Sequence, residues 1–529
     1  MSPRNHPIQL EIYRHLFTSI AEEMGTVLKR TGYSPNIKER RDYSCAVFDG
    51  KGELVSMGDH MPVHLGSMPC AVKAALDRFS LSPGDLVILN DPFSGGTHLP
   101  DMTMVLPVYA GESGRSLFHV AARAHHSDVG GMSPGSMPLS REIFQEGIRI
   151  PPVKLYESGR LNRSLLCLLL CNVRTPRERE GDLAAQVAAL KAGHRRLVQL
   201  VQKNGEAEVE AYMEALQDYA ERILEHVIEG IPDGLYEAED LLDDDGTQDR
   251  SNAGQSIKIR AGIQVEGKRI RIDFEGSHAQ VAGCLNAVEA ITLSAVHYVM
   301  RCLAPPDTPS SAGLMRPVSV QVPAGTVLNA NYPAATAAGN VETSQRIVDV
   351  LLKALAPALP DCIPAASSGT MNNLTIGGVH PGTALPFSYY ETIGGGMGAS
   401  SQAHGDSGIH THMTNSLNTP VEALERDFPF RVREYRLRYG SGGRGLFNGG
   451  EGIIRSLEML ADCQVTLLSE RRKHAPYGLR GGSNGKKGAN HVVGRGRRRR
   501  LPGKVSLRLS RGDVLSIETP GGGGWGSSR

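Results

Sequence analysis

The sequence carries almost no net charge: 57 Lys and Arg stand against 56 Asp and Glu. That balance excludes a global field drawing the chain onto nucleic acid or an anionic membrane. Long apolar runs are missing too, the longest falling far short of the roughly 18 residues that span a bilayer. Met1 to Leu16 is charged and polar throughout, so no signal peptide is expected. The eight cysteines (45, 70, 167, 171, 284, 302, 362 and 463) show no framework spacing, which argues against a disulfide scaffold. Cys167 and Cys171, inside the apolar run Leu165 to Cys171, are expected to be core cysteines rather than a metal pair. No Gly-x-x-x-x-Gly-Lys-Ser/Thr loop occurs, which excludes a P-loop nucleotide site. These absences leave a soluble, cytoplasmic globular protein with reduced thiols.

Glycine is in excess, at 61 residues in a chain of 529, and it is clustered at Gly95-Gly96, Gly130-Gly131, Gly394 to Gly396, Gly442-Gly443, Gly449-Gly450 and Gly521 to Gly524. Such clusters suit tight turns and close backbone approach. Gly394 to Gly398 is read as a substrate-side turn or a packing turn, because no Lys or Arg follows it at P-loop spacing.

Apolar periodicity predicts helices over Gln9 to Thr31, Asp182 to Lys203, Glu206 to Glu229, Ala287 to Leu303 and Val341 to Leu355. Strands are predicted at Tyr43 to Phe48, Leu86 to Leu89, Met102 to Val108 and Leu117 to Ala122, and as an antiparallel pair over Ser256 to Ile263 and Lys268 to Phe274. Further strands follow at Tyr435 to Tyr439, Gly452 to Leu460, Cys463 to Leu468 and Val505 to Leu509. The expected class is α+β, mixed, with several sheets, flanking helices and a strand-rich C-terminal third. Three regions are expected: 1–230 with the metal site and a helical hairpin at its end, a middle α/β region 231–360, and 361–529 closing the pocket. Lys486 to Arg500, with Arg497 to Arg500 in a row, reads as a solvated loop or a partner-facing surface.

Chemistry gathers between residues 90 and 131. Asn90-Asp91-Pro92-Phe93-Ser94-Gly95-Gly96-Thr97-His98-Leu99-Pro100-Asp101 precedes one predicted strand, and His125-His126-Ser127-Asp128-Val129-Gly130-Gly131 follows the next. His98 and Asp101 sit three apart across a proline, in a turn that can aim both at one point. One strand and its return bring His125 or His126 alongside. Two imidazoles with a carboxylate suit Zn²⁺, Mn²⁺ or Fe²⁺. The alternative is that these groups cap turns and hydrogen-bond one another in a Gly-rich loop.

These stretches resemble motifs of the hydantoinase B family. So do Asn172-Val173-Arg174 with Gly181-Asp182, His410-Thr411-His412-Met413-Thr414-Asn415, Arg444 to Gly452, and Thr519 to Gly526. The resemblance runs in order over nearly the whole chain. The family includes subunits of N-methylhydantoinases, ATP-dependent lactamases and acetone and acetophenone carboxylases, and the C-terminal half of 5-oxoprolinase. It implies a divalent metal held by an acidic residue near the N-terminus, by His-x-x-Asp and by a later His. Carried onto this sequence, these are Asp42, His98, Asp101 and His125, with His126 the competitor. It also implies that a separate hydantoinase A-type subunit binds ATP, in a hetero-oligomer with two copies of each subunit.

The reaction so implied is ATP-dependent ring opening of a cyclic amide: a hydantoin, 5-oxoproline or another lactam. Carboxylation of a ketone and a non-catalytic scaffold are the alternatives. Proton-shuttle candidates are His126, Asp128 and Glu146, set against supporting roles for the first two and a surface or capping role for Glu146. Candidates to contact substrate are His64, Arg174, His410, His412 and Asn415. Two have a structural alternative, a packed His64 and an Arg174 ion pair with Asp182 or Glu178, while His410, His412 and Asn415 are expected to close the pocket from the C-terminal part.

Overall fold

Gln9 to Thr31 forms the helix its spacing predicts. In the computed structural model, which describes residues 6–58, 60–247 and 254–527, this is α1 (Pro7–Thr31), followed by the single turn α2 (Pro35–Lys38). Leu10, Tyr13, Phe17, Ile20, Met24 and Leu28 bury one stripe of α1, the signature of an amphipathic helix.

Seven strands then build the sheet that carries the candidate site. They are β1 (Tyr43–Asp49), β2 (Leu54–Met57), β3 (Leu86–Leu89), β4 (Asp101–Tyr109), β5 (Ser116–His125), β6 (Val153–Glu157) and β7 (Arg160–Leu161), in the spatial order β2-β1-β5-β4-β3-β6-β7. Helix α3 (Ser67–Arg78) separates β2 from β3 in the chain, and α4 (Arg163–Cys171) follows β7. The helical hairpin α5 (Pro176–Asn204) and α6 (Glu206–Glu229) turns at Gly205, whose φ of 87° favours glycine. Both faces of the sheet are covered: Cys45 and Val47 pack in a core with α1 and α5 residues, Ala46 and Phe48 in one with α3 residues. The central strands therefore read as near-continuous apolar runs.

A second sheet, ordered β11-β10-β9-β8, is formed by β8 (Gly234–Leu242), β9 (Ile257–Glu266), β10 (Arg269–Asp273) and β11 (Val318–Gln321). It packs with α7 (Glu289–Leu303) and α8 (Ser344–Leu355), and α8 is entered through a π-helical turn over Gly339–Thr343. The last third holds β12 (Asn373–Val379), β13 (Pro386–Glu391), α9 (Val421–Asp427), β14 (Phe430–Arg438), β15 (Gly452–Met459), β16 (Cys463–Leu468), β17 (Ala489–Gly494), β18 (Arg497–Leu501), β19 (Lys504–Leu509) and β20 (Val514–Glu518). These strands form two sheets, β13-β12-β16-β19 and β14-β15-β20-β17-β18. The class is α+β with four sheets and flanking helices among the described residues. The core of the middle sheet also takes in Met61, Val63, Tyr390, Met413 and Leu468.

Two local expectations are corrected, and one left open between two readings is narrowed. Cys167 and Cys171 are exposed on α4, their sulfurs 4.0 Å apart, because that short helix turns only Leu169 fully inward. Arg497 to Arg500 form an exposed strand at a sheet edge rather than a loop, where charge blocks pairing with another chain. The C-terminal glycine clusters approach one another rather than a site: a Cβ on Gly396 would lie 1.9 Å from the Gly450 carbonyl oxygen, and one on Gly522 as close to that of Met397.

Candidate metal centre

The two strands that carry the Asp and His motifs are hydrogen-bonded neighbours. Asp101 opens β4, His125 closes β5, and the antiparallel register places them directly opposite each other. Side chains at such positions meet across the ladder. Strand β1 pairs with the other edge of β5, Tyr43 opposite Ala124, and the His125 N–H donates to the Asp42 carbonyl oxygen at 3.0 Å. His98 arrives on the turn before β4, where the Asp101 N–H closes back on the His98 carbonyl oxygen at 3.1 Å.

Asp101 is the hub. Its Oδ1 lies 3.1 Å from His98 Nε2 and 3.3 Å from His125 Nδ1. Its Oδ2 accepts from the Thr97 hydroxyl at 3.2 Å and faces His64 Nε2 at 3.4 Å. All five side chains are buried. Burial alone would raise the Asp101 carboxyl, but the charge of His98 and hydrogen bonds from His125, His64 and His98 hold it well below the usual carboxylate range. Burial lowers His64 and His125; at His98 burial also pulls down, but Asp101 together with the Ala337 carbonyl and Asp42 outweighs it and raises the imidazole.

His98, Asp101 and His125 each offer a ligand atom within 4.8 Å of the others. His98 Nδ1 donates to the Ala337 carbonyl oxygen at 3.3 Å, which puts the ring's lone pair on Nε2, the atom facing Asp101. The three fit a divalent cation: a carboxylate and two imidazoles face one point, buried, with few other partners for their inward atoms. Asp42 stands outside this tight group, 3.8 Å from Arg40, yet its charge acts on His64, His98 and His125.

His126 turns the other way. Its Nε2 meets Gln186 Oε1 at 2.9 Å on α5, and Gln186 is itself fixed by the Met102 and Ala122 carbonyl oxygens. Burial, with Arg179 nearby, pushes it down to about 4. Neighbouring residues at a strand end point to opposite faces, so only one of the pair reaches Asp101.

The other expected site residues are dispersed around this group. Asp128 accepts from the Arg174 guanidinium at 2.9 Å and from the Arg174 N–H at 3.0 Å. Asp128, rather than Asp182 or Glu178, is thus the partner of Arg174, whose guanidinium also donates to the Gly130 and Gly131 carbonyl oxygens. Glu146 is neither at the surface nor on the cluster. Its Oε1 accepts from Ser140 and from the N–H groups of Thr336 and Ala337, at 2.6, 2.9 and 3.0 Å, behind the carbonyl that holds His98. Burial pushes it up to about 7 despite these donors. The Asn415 amide donates to the His60 carbonyl oxygen at 3.1 Å, and the Val63 N–H to the Met413 carbonyl oxygen at 3.2 Å. The His410 to Asn415 stretch thus lies against the turn that bears His64. His412 Nε2 stands 3.5 Å from Asp349, and His410 Nε2 is buried without a hydrogen-bond partner among the described residues.

Two neighbours of the cluster escaped the sequence reading. Asn340, in the π-helical turn, puts its amide nitrogen 3.2 Å from His98 Nε2, with Oδ1 buried and unpartnered among the described residues. Tyr390 stacks on His125, ring centroids 4.3 Å apart. Neither sits in a motif of titratable residues. The one usable hint was the helix predicted from Val341, whose buried N-terminal end must face something polar.

A family model described as hydantoinase B/oxoprolinase matches residues 6–528. An uncharacterized protein of Methanocaldococcus jannaschii is 42% identical over 527 residues, covering 98% of this chain and 90% of that one. The 5-oxoprolinase 1 of Arabidopsis thaliana is 39% identical over 551 residues; the match takes in 98% of this chain but only 42% of that protein's length. The crystal structure of the ATP-dependent caprolactamase from Pseudomonas jessenii superposes with a TM-score of 0.90 at 28% identity, over 98% of this chain and 91% of that one.

Proposed function

The chain belongs to the hydantoinase B/oxoprolinase family, and from that premise we propose that it is the metal-carrying component of an ATP-dependent enzyme that opens a cyclic amide. The observation that carries this reading is the buried convergence of His98, Asp101 and His125. The names of its relatives support the substrate class, since 5-oxoproline and caprolactam are both cyclic amides. The absence of a P-loop motif, and a 5-oxoprolinase more than twice as long as the matched region, support placing ATP on a second, hydantoinase A-type polypeptide. With it this chain forms a cytoplasmic hetero-oligomer.

A lactam carbonyl is a poor electrophile. Phosphorylation of its oxygen on the partner gives a species open to water. His98, Asp101 and His125, with Asp42 completing the set, would hold a divalent cation (zinc, manganese or iron), which when bound would supply Lewis-acid polarisation and activation of water. The remaining chemistry belongs to side chains already in place. Asp101 stays ionised because three imidazoles face it. His98 is aimed by the Ala337 carbonyl, which Glu146 holds from behind. The Asn340 amide, beside His98 Nε2, is placed to hydrogen-bond the reacting oxygen. His410, His412 and Asn415 bound the substrate side. Arg174 and Asp128, bonded to each other, brace the loop after His125, and His126 braces α5.

The test has two stages. The purified chain is assayed for bound zinc, manganese and iron, with Asp101→Asn as control; a wild-type chain that binds none overturns the reading. The chain assembled with its ATP-binding partner is then offered lactams and hydantoins against ketones plus bicarbonate. ATP consumption that requires bicarbonate would establish a carboxylase instead.

A further inference from the structure

His64 belongs to the turn Pro62–His64, between β2 and α3, and is fully buried. One ring nitrogen, Nδ1, lies 2.8 Å from the Ser44 hydroxyl on β1. The other, Nε2, lies 3.4 Å from Asp101 Oδ2, an ion-pair contact rather than a formed hydrogen bond, and has no hydrogen-bond partner among the described residues. The Ser44 oxygen already accepts the Met61 N–H at 3.2 Å. It keeps its own proton to give, and His64 Nδ1 is the acceptor within reach. A ring that accepts at Nδ1 carries its proton at Nε2, the nitrogen beside the carboxylate.

The two Asp101 oxygens are thereby divided. Oδ1 is turned to His98 and His125, while Oδ2 is occupied by Thr97 and His64. A carboxylate with both oxygens free can rotate or chelate through both; one with Oδ2 engaged presents a single oxygen in a fixed direction. We infer that His64, oriented by Ser44, is a positioning residue that holds Asp101 with Oδ1 toward the metal, rather than a side chain that contacts substrate. The arrangement inverts the usual support, in which a carboxylate orients a ligating imidazole. Ser44 and His64 reach it from separate elements, β1 and the turn after β2, so both are needed to set the angle. The inference rests on the metal-carrying reading above.

The test uses the full-length chain, cobalt(II) as the probe, affinity by chelator competition, the visible absorption of bound cobalt, and circular dichroism to verify folding. His64→Phe keeps ring volume and loses both nitrogens; it should weaken cobalt binding by about 10–100-fold, the range for lost outer partners, and alter the absorption band. His64→Gln places an amide N–H near the Nε2 position and should restore most of the affinity and the wild-type band. Ser44→Ala should shift both readouts in the same sense as His64→Phe, by less. Unchanged affinity and spectrum in His64→Phe overturn the inference. If that variant does not fold, unchanged readouts in Ser44→Ala do so. A spectrum lost equally in His64→Phe and His64→Gln but kept in Ser44→Ala would make His64 a ligand, and overturns it as well. A wild-type chain that binds no cobalt fails at the prior step, the metal-carrying reading itself.

Discussion

Tyr390 lies flat against His125, the ring centroids 4.3 Å apart and the planes 13° from parallel. One residue comes from β13 and the other from β5, so a C-terminal strand supplies one wall of a site whose ligand candidates all lie within the first 125 residues. The Tyr390 hydroxyl donates to Asn373 Oδ1 at 2.9 Å, and the Arg40 guanidinium stands over the ring at 4.7 Å. Tyr390→Phe, which loses only the hydroxyl bond, should cost about 1 kcal/mol. Tyr390→Ala should cost ~3–5 kcal/mol through the cavity and also weaken metal binding, because His125 loses the surface that fixes its plane. Denaturant unfolding and chelator competition on both variants check this.

His125→Ala and His126→Ala should separate cleanly. The first removes a side chain that meets Asp101 and should lower metal affinity beyond the roughly 10–100-fold cost of outer partners. The second strips Gln186 of its partner on α5 and should reduce stability by about 1–3 kcal/mol with metal content unchanged. Metal analysis beside thermal unfolding distinguishes them, and the reverse pattern would reassign the ligand.

Glu146 predicts a pH dependence with a definite sign. Its folded value, about 7, lies above its ordinary 4.5. The native state therefore binds the extra proton between those values, and stability declines as pH rises through that window. The difference amounts to on the order of 3 kcal/mol. Glu146→Gln keeps an acceptor for Ser140, Thr336 and Ala337 without ionising. Unfolding in chelator from pH 4.5 to 8 should show wild type losing stability relative to the variant. A constant difference would refute the assignment.

Glu391 and Arg455 form a fully buried bidentate pair, at 2.8 and 2.9 Å. Glu391 also accepts from the Asn418 amide and the Thr419 N–H, and Arg455 lies over the Tyr435 ring. Glu391→Ala strands a buried guanidinium and should cost ~3–5 kcal/mol. Combined with Arg455→Met, it should cost less than the sum of the two single changes, because the stranded charge is gone. Urea unfolding of the four proteins measures that coupling.

Much of the site was legible because its parts are local. The spacing of His98 and Asp101 across Pro100, and the strand-and-return to His125, follow from hairpin geometry, and β4 and β5 deliver it in the expected register. Asp42 came from the resemblance and not from any local pattern. The exposure of Cys167 and Cys171 was misjudged because an apolar run shows that a helix wants partners, not that the fold provides them.

The sequence by itself determined the long periodic helices, the strands β1, β3, β4 and β5 of the site sheet, the near-zero net charge, the family and the cluster of chemistry between residues 90 and 131. Periodicity and turn chemistry act over a few residues and need no distant partner. Tertiary structure decided which way each side chain faces. His125 and His126 are neighbours in one motif, and only the pairing of β5 with β4 and the packing of α5 turn the first to Asp101 and the second to Gln186. Asn340 and Tyr390 join the site across more than 200 residues and the Ser44–His64 pair across 20, and all three contacts are set by packing, which no local spacing encodes.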